Sequence, residues 1–556
     1  MIPLQQEISE ILSNALQASL GGTPLSFDVA STLEVPREEK FGDVSSNAVM
    51  RLAKELKQSP RTLADGVVKH IQAALPASKL AGRIAKITVE GPGFLNFYYS
   101  SQQISDVVLK IHKEGDRFGR PTLPSKNILL EFVSANPTGP LTVAHGRQAA
   151  LGDSLAKILI FCGHRVTKEY YNNDEGVQIQ VLGRSIRSRY LTEIGVTHEF
   201  PENGYKGEYI TQMAKDLKAK HGRALEKETE EYFSRFGKDT IMEGIKKDLK
   251  DFDVTFENFY SQEALMKSGK VEKALEVLKE KGFVYESEGA VWFASTRLGD
   301  DKDRVLIKSD KSYTYLTPDI AYHRDKLVRG FEFLINILGP DHHGYIARIK
   351  ASVEALGSSR DKLEILIAQL VTLFEGEKTL RMSTRAGEFV TLREIIDEVG
   401  KDAGRFFFLM RKFDAHLDFD LALAKSQTVD NPVFYIQYAH ARIESIKKLF
   451  QERGFTLDWN QSSAVSRLIE PSEISLLRLL SQFEETVLGA EKTLEPYRLV
   501  PYLKDLAAAF HKFYTDNRVV TEDPELTQGR MMLALSTQSV LRLGLSLLGV
   551  SAPLKM

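Results

Sequence analysis

Residues 127–161 read NILLEFVSANPTGPLTVAHGRQAALGDSLAKILIF, and their order decides how the rest of the chain is read. Five of the six residues from 128 to 133 are apolar, which predicts a short buried strand. SANPTGPL follows, where two prolines and a glycine force an extended, irregular turn. Beyond it, Ala149, Leu155, Ile158 and Leu159 recur at helical spacing. A strand therefore feeds a loop, and the loop feeds a helix N-terminus, whose free amide groups and dipole favour an anion such as phosphate. His145 and Gly146 stand at that helix start. An imidazole there, neutral or protonated, can donate to a phosphoryl oxygen, and a glycine lets a nucleotide come close to the backbone. The plainer alternative is an ordinary strand–helix joint in which His145 only caps the helix.

The flanking segments extend the alternation. RVTKEYYNND reads as a second strand, and DEGVQIQVLGRSI opens a helix in which Asp174 and Glu175 are either N-terminal acids or nucleotide contacts. Further on, VWFAST, RVLIKS, SYTYL, FEFLINILG and LEILIAQLVTLF read as strands. Helices open at Thr317-Pro318-Asp319, with Thr317 as cap and Pro318 at the first helical position, and at PDHHGYIARIK. Strands alternating with helices predict an α/β domain with a doubly wound parallel, Rossmann-type sheet over about residues 116–400, with ligands at the C-terminal strand ends. A charged helical stretch at about 195–290 reads as an insertion. Residues 1–115 read as a small α+β unit containing the turn Gly91-Pro92-Gly93 and the aromatic strand FLNFYY. There Phe94 and Asn96 are candidates to stack on and hydrogen-bond an unpaired base, or else core residues, as Phe97 is expected to be. From 401 to 556 apolar residues recur every three or four positions, predicting an all-α bundle.

Bulk composition narrows the class. At 556 residues the chain needs several cores, and 43% hydrophobic and 27% charged residues are ordinary for a globular protein. A net charge of −2 means that any nucleic-acid binding must come from local patches. The single cysteine, Cys162, excludes intrachain disulfides and cysteine-rich zinc sites. There is no run of 18 apolar residues and no signal-like N-terminus, so a cytoplasmic protein without a membrane span is expected.

Several strings carry a family resemblance. SANPTGPLTVAHGR resembles the H-x-G-H signature of class I aminoacyl-tRNA synthetases, in the form found in arginyl-tRNA synthetases, with Thr142 and Ala144 replacing the first histidine and the inner glycine. RMSTRAG resembles the second class I motif, K-M-S-K-S, with Thr384 in place of a lysine and Arg381 and Arg385 beside it. DHHG, with His343, resembles a third nucleotide contact; a metal site at these adjacent histidines is the weaker reading, because neighbours on a helix face apart. FGDVSSNAVMRLAK and GPGFLNFYY resemble the family's N-terminal domain, which touches the tRNA elbow, and NPVFYIQYAHAR resembles its anticodon-binding domain.

The resemblance implies an arginine–tRNA ligase that uses ATP with Mg²⁺ and no zinc, acts on L-arginine and tRNA-Arg, and is expected to be a monomer. It implies catalytic roles for His145, Arg381 and Arg385, and ATP contacts from Thr142, His145, Gly146, His343, Met382 and Ser383. Asn136 would hold the amino acid's α-amino and carboxylate end, while Tyr315, on the strand before the Thr317 helix, and Asp319 would hold its side chain. Phe94, Asn96, Tyr435, Tyr438 and Arg442, with His440 nearby, would touch tRNA. A guanidinium is planar, always charged and donor-only, so a carboxylate such as Asp319 is its best partner. The alternatives are a class I synthetase for another amino acid, a nucleotidyltransferase without tRNA, and a catalytically silent RNA-binding paralogue.

Overall fold

The computed structural model describes residues 3–21, 24–36, 38–376, 378–380 and 389–556. Arg381, Met382, Ser383, Thr384 and Arg385 lie outside the described residues, as does the side chain of His343.

Five strands form the parallel sheet, in the spatial order Leu363–Ile367, Phe333–Leu338, Asn127–Glu131, Arg165–Asn172 and Asn258–Ser261. The chain starts this sheet in the middle, builds outward on one side and then returns to the other. The order therefore reverses between Asn127–Glu131 and Phe333–Leu338, which makes the C-terminal ends of those two strands the topological switch point. Isoleucines and leucines fill both strands because a parallel strand is covered on both faces. The helix Val143–Phe161 crosses behind the sheet and is buried along almost its whole length.

The sequence and the structure part in four places. The stretch 195–290 supplies helices Glu208–His221 and Glu230–Asp251, as expected, but also the edge strand Asn258–Ser261. VWFAST and RVLIKS belong to a separate antiparallel sheet of Val284–Ser287, Ala290–Phe293 and Arg304–Ile307. Only short connections separate these strands, and parallel neighbours need a crossover; SYTYL adds just a bridge between Ile307 and Tyr313. LEILIAQLVTLF breaks into Leu363–Ile367, in the parallel sheet, and Val371–Glu375, which pairs with Lys378–Leu380 and Leu417–Asp420. Finally, the helix Leu316–Val328 has Tyr315, not Thr317, at its cap position; the Thr317 hydroxyl instead donates to the Leu306 carbonyl at 2.7 Å.

Two further units complete the fold. Residues 3–99 pack three helices on an antiparallel sheet around a core of their own that includes Ile8, Leu12, Val67, Leu95 and Phe97. The C-terminal helices Pro432–Glu452, Pro471–Ser481, Phe483–Thr493, Leu499–Asp516 and Pro524–Leu547 share one continuous apolar core with Val143–Phe161, Leu392–Phe408 and Ser101–Glu114. Asn431 starts the first of them by accepting the Val433 amide, with Pro432 in the first turn.

Candidate active site

Behind the strand Asn127–Glu131 the chain turns sharply. Val133 and Ser134 both take positive φ, 67° and 41°, which is costly for a β-branched residue and recurs at functional sites. The turn is held by the Ser134 hydroxyl, which donates to Glu131 at 3.1 Å and accepts the Tyr171 amide at 3.1 Å. It swings SANPTGPL across the strand ends and delivers Thr142 to the start of Val143–Phe161.

The geometry there fixes the state of His145. The Thr142 amide donates to His145 Nδ1 at 3.1 Å, so Nδ1 is an acceptor and the ring proton of the neutral form sits on Nε2. Burial lowers the His145 pKa to about 4 against the opposing pull of Asp341. At neutral pH the residue is thus an uncharged imidazole presenting an Nε2–H donor. Capping and donation, alternatives from sequence, are compatible: one nitrogen caps the helix and the other is left to donate.

Gly146 has a packing role beside the one expected. A Cβ there would lie 2.9 Å from Leu392 and 3.1 Å from Phe408. The glycine lets Leu392–Phe408 press against the signature helix on the side where a side chain would stand. The two helix starts are also tied by backbone bonds from Val143 to Val390 and from Leu392 to Leu141, at 3.1 and 2.8 Å. One residue further, the buried Arg147 donates to the carbonyls of Gln369, Lys412 and Ala415 at 2.7–2.9 Å. Burial lowers its pKa to about 10 against the opposing pull of Asp414.

A cavity of about 450 Å³ opens at the switch point, lined by residues that include Glu131, Asn136, His145, Asp319 and Tyr345. Asn136 and His145 also line an adjoining cavity of about 440 Å³ bordered by Tyr205 and Tyr209, so the two spaces meet at this pair. Asn136 Nδ2 donates to Gln178 at 2.8 Å. Asp319 projects from the first turn of Leu316–Val328, as expected, and accepts the Tyr345 hydroxyl. Burial raises its pKa to about 7, with the Tyr345 hydrogen bond opposing and Glu131 adding to the rise. Among the described residues no basic side chain forms an ion pair with it. Lys326, whose charge opposes the rise, is fully buried and committed to Glu131 at 2.5 Å and Asn336 at 3.0 Å.

Sequence reasoning missed Glu131, Lys326, Asn336 and His323. Asn336 Nδ2 donates to His323 Nε2 at 3.0 Å, and His323 Nδ1 donates to the Asp319 carbonyl at 2.8 Å. Burial, then Lys326, lowers the His323 pKa to about 3, so the ring is neutral and the chain of bonds from Glu131 to Asp319 is fully directed. The signal was there: a lone glutamate in the apolar run ILLEFV is costly unless it is paired.

Other expected residues fall elsewhere. Tyr315 is not on a strand; it caps the helix start, 78% exposed, at the cavity rim. Asp174 is an N-terminal acid, but of another helix: it accepts the Glu263 amide at 2.9 Å and the Ser261 hydroxyl at 2.7 Å. DHHG lies in the 3₁₀ turn Pro340–Tyr345. Among the described residues no three His, Cys, Asp or Glu side chains are grouped as metal ligands. Phe94 and Asn96 lie on the strand Phe94–Tyr99 and not on an exposed turn. Asn96 is 1% exposed and accepts the Ser45 hydroxyl at 2.7 Å, because its strand is flanked on both sides. His440 is likewise buried, bonded to the Pro553 carbonyl at 2.9 Å. Tyr435 is half-buried against His511. Tyr438 and Arg442 do line an open groove of about 1500 Å³, where the Arg442 guanidinium sits 4.7 Å from the Tyr438 ring and 4.9 Å from the Tyr514 ring.

Residues 107–412 match the family model for the class I (R) tRNA synthetase catalytic domain, so the switch-point cavity belongs to a class I aminoacyl-tRNA synthetase. Residues 4–99 match the arginyl tRNA synthetase N-terminal domain, and residues 436–556 the DALR anticodon binding domain. An arginine–tRNA ligase of Desulfosudis oleivorans is 47% identical over 528 residues, covering 94% of both chains, and one of Staphylococcus epidermidis is 45% identical over 553, covering 98% of this chain and 99% of its own. The Thermus thermophilus arginyl-tRNA synthetase structure superposes with a TM-score of 0.76 at 23% identity, covering all of both chains, a likeness of fold. The chain belongs to the arginyl-tRNA synthetase family.

Proposed function

We propose that this chain is an arginine–tRNA ligase whose arginine pocket is the cavity around Asp319. The observation that carries the reading is a carboxyl in that cavity, its pKa lifted by burial and by a second acid, Glu131, with no cation among the described residues paired to it. A guanidinium supplies that cation and can bond both carboxylate oxygens at once. Lysine, a point charge on a flexible stem, matches the pocket less well. Asn136 at the junction of the two cavities would take the α-amino and carboxylate end, and Tyr315 would close the rim.

Class I chemistry follows from this placement. An oxygen of the arginine carboxylate attacks the α-phosphorus of ATP in line, a P–O bond to the leaving pyrophosphate breaks, and arginyl-adenylate remains. A terminal ribose hydroxyl of tRNA-Arg then attacks the arginyl carbonyl, and AMP leaves. The protein's share is positioning and stabilisation of charge that grows in the transition state. Neutral His145 donates from Nε2 to the α-phosphoryl oxygens, and the start of the Thr142 helix adds its amide dipole. Arg381, Met382, Ser383 and Arg385 are assigned to the pyrophosphate end by their motif, and His343 to the nucleotide. Mg²⁺ brought with ATP would offset the phosphate charge.

Tyr438 and Arg442, with Tyr514, offer a stacking and cationic wall for anticodon bases. Half-buried Phe94 stays a candidate for the tRNA elbow, and Tyr435 supports the groove wall. The chain is read as a cytoplasmic monomer; no helix among the described residues is long and apolar enough to cross a membrane. Thr142 and Thr384 leave both signature motifs short of a group, so tRNA binding is expected to complete the site before adenylation. The test is ATP–pyrophosphate exchange across the amino acids, with and without tRNA-Arg, including tRNA with an oxidised terminal ribose. Exchange with arginine alone, and only with tRNA present, is the expected result. Exchange with another amino acid would overturn the assignment, and full exchange without tRNA would overturn the coupling.

A further inference from the structure

The hydrogen bond that Asp319 accepts comes from a residue none of the motifs contains. Tyr345 ends the 3₁₀ turn Pro340–Tyr345 that follows the strand Phe333–Leu338, while Asp319 sits on the helix Leu316–Val328. The Tyr345 hydroxyl donates to Asp319 Oδ2 across the cavity and joins its two walls. The ring is held from behind, with the Arg348 guanidinium 5.1 Å from its centre and His342 edge-on at 6.1 Å. A carboxylate has about four lone-pair directions, so one bond from Tyr345 leaves room for a two-pronged guanidinium while fixing how the carboxylate is turned.

We propose that Tyr345 is a positioning residue of the arginine pocket: its hydroxyl orients the Asp319 carboxylate for the guanidinium. This rests on the arginine-pocket reading given above. The groups facing Asp319 are Glu131 on the strand Asn127–Glu131, Tyr171 on Arg165–Asn172, Lys326 and His323 on its own helix, and Tyr345 with Arg348 behind it. Of these, Tyr345 is the one that donates to the carboxyl oxygens; His323 bonds the backbone carbonyl and Lys326 bonds Glu131. A donor to the ionised carboxylate also favours that form, opposing the effect of burial.

The test compares the parent enzyme, Tyr345→Phe and Asp319→Asn in pyrophosphate exchange with tRNA present, reading the arginine KM from pH 6 to 9. For Tyr345→Phe the expected result is an arginine KM raised roughly 10- to 100-fold, the span of a hydrogen bond to a charged group. The ATP KM should stay at the parent value. The pH at which arginine binding weakens should move upward, because the carboxylate has lost the donor that favours its charged form. A role in shaping the fold alone would not move that midpoint. Equilibrium dialysis of labelled arginine reads the same contact without turnover and holds even if the variant loses activity for another reason. An arginine KM and pH midpoint that match the parent, with Asp319→Asn strongly impaired, would overturn the role of Tyr345 alone. If Asp319→Asn also binds arginine like the parent, the pocket reading fails with it.

Discussion

Two aspartates on helices of this chain, Asp153 fully buried and Asp319 half-buried at the cavity, have opposite fates. Asp153, midway along the signature helix, accepts Arg405 at 2.7 Å, Lys157 at 2.5 Å and Lys168 at 3.1 Å. Burial would raise its pKa, but Arg405 first and then the lysines overcome this and hold it below the usual carboxylate range. Among the described residues Asp319 has a phenol and no ion-pair partner, and burial outweighs the Tyr345 hydrogen bond and the pull of Lys326. The Asp153 junction binds the sheet domain to the bundle: Arg405, fully buried, also donates to the Leu548 and Phe252 carbonyls at 3.0 and 3.1 Å. A buried charge that the protein pairs itself holds structure, whereas one it leaves without a cation marks a place for a cationic ligand.

The comparison breaks most visibly through stability. Asp153→Asn strips Arg405 and Lys168 of their shared partner, and an uncompensated buried charge costs on the order of 3–5 kcal/mol. Urea denaturation at pH 7 should show that loss, and an unchanged midpoint would mean the junction is only decorative. Asp319→Asn should behave in the opposite way. An acid whose pKa is higher in the fold than in the unfolded chain holds its proton better when folded, so its ionisation costs stability as pH rises from about 4 through about 7. At pH 8 the variant should therefore melt above the parent while losing about 2–5 kcal/mol of arginine binding, the cost of breaking a charge-assisted pair. A lower melting temperature with normal arginine affinity would reverse the two roles.

His145 sharpens the contrast on the nucleotide side. His145→Ala should lower the adenylation rate roughly 10²–10³-fold, as for loss of a transition-state donor, and leave the ATP KM nearly unchanged. Single-turnover kinetics separates the two; loss of ATP affinity with normal turnover would make it a ground-state contact. The smallest effect is expected in the bundle. Tyr438→Ala should weaken tRNA-Arg binding by about 1–3 kcal/mol, the worth of one stacked base, with adenylation at saturating tRNA unaffected. A filter-binding constant equal to the parent's would remove the groove from the tRNA path.

What could be read from the sequence follows the range of each interaction. The strand and helix of residues 127–161 are local patterns and stand where they were expected, as does Asp319 in its first helical turn. The packing role of Gly146 was not legible, since its contacts Leu392 and Phe408 are remote in sequence. The strands between 284 and 307 were recognisable, but a strand's pattern does not name its partner, and short connections put them in an antiparallel sheet. Asn96 could not be seen as buried without knowing that strands lie on both sides of it. Glu131, Lys326 and Asn336 become a site only where two strands and a helix converge. Single polar residues in apolar runs carried that information, and only the pairing made it readable.

Asp319 awaits the cation that Asp153 already has, and proton release on arginine binding measures that difference. Burial lifts the Asp319 pKa to about 7, so near neutrality the free carboxyl is held partly as the acid, and a guanidinium would drive it to the carboxylate. Titration calorimetry with arginine in buffers of different ionisation enthalpy should detect protons released on arginine binding at pH 7, more of them at pH 6, and none in Asp319→Asn. Arginine binding with no proton released at either pH, or with the same release in Asp319→Asn, would contradict the account.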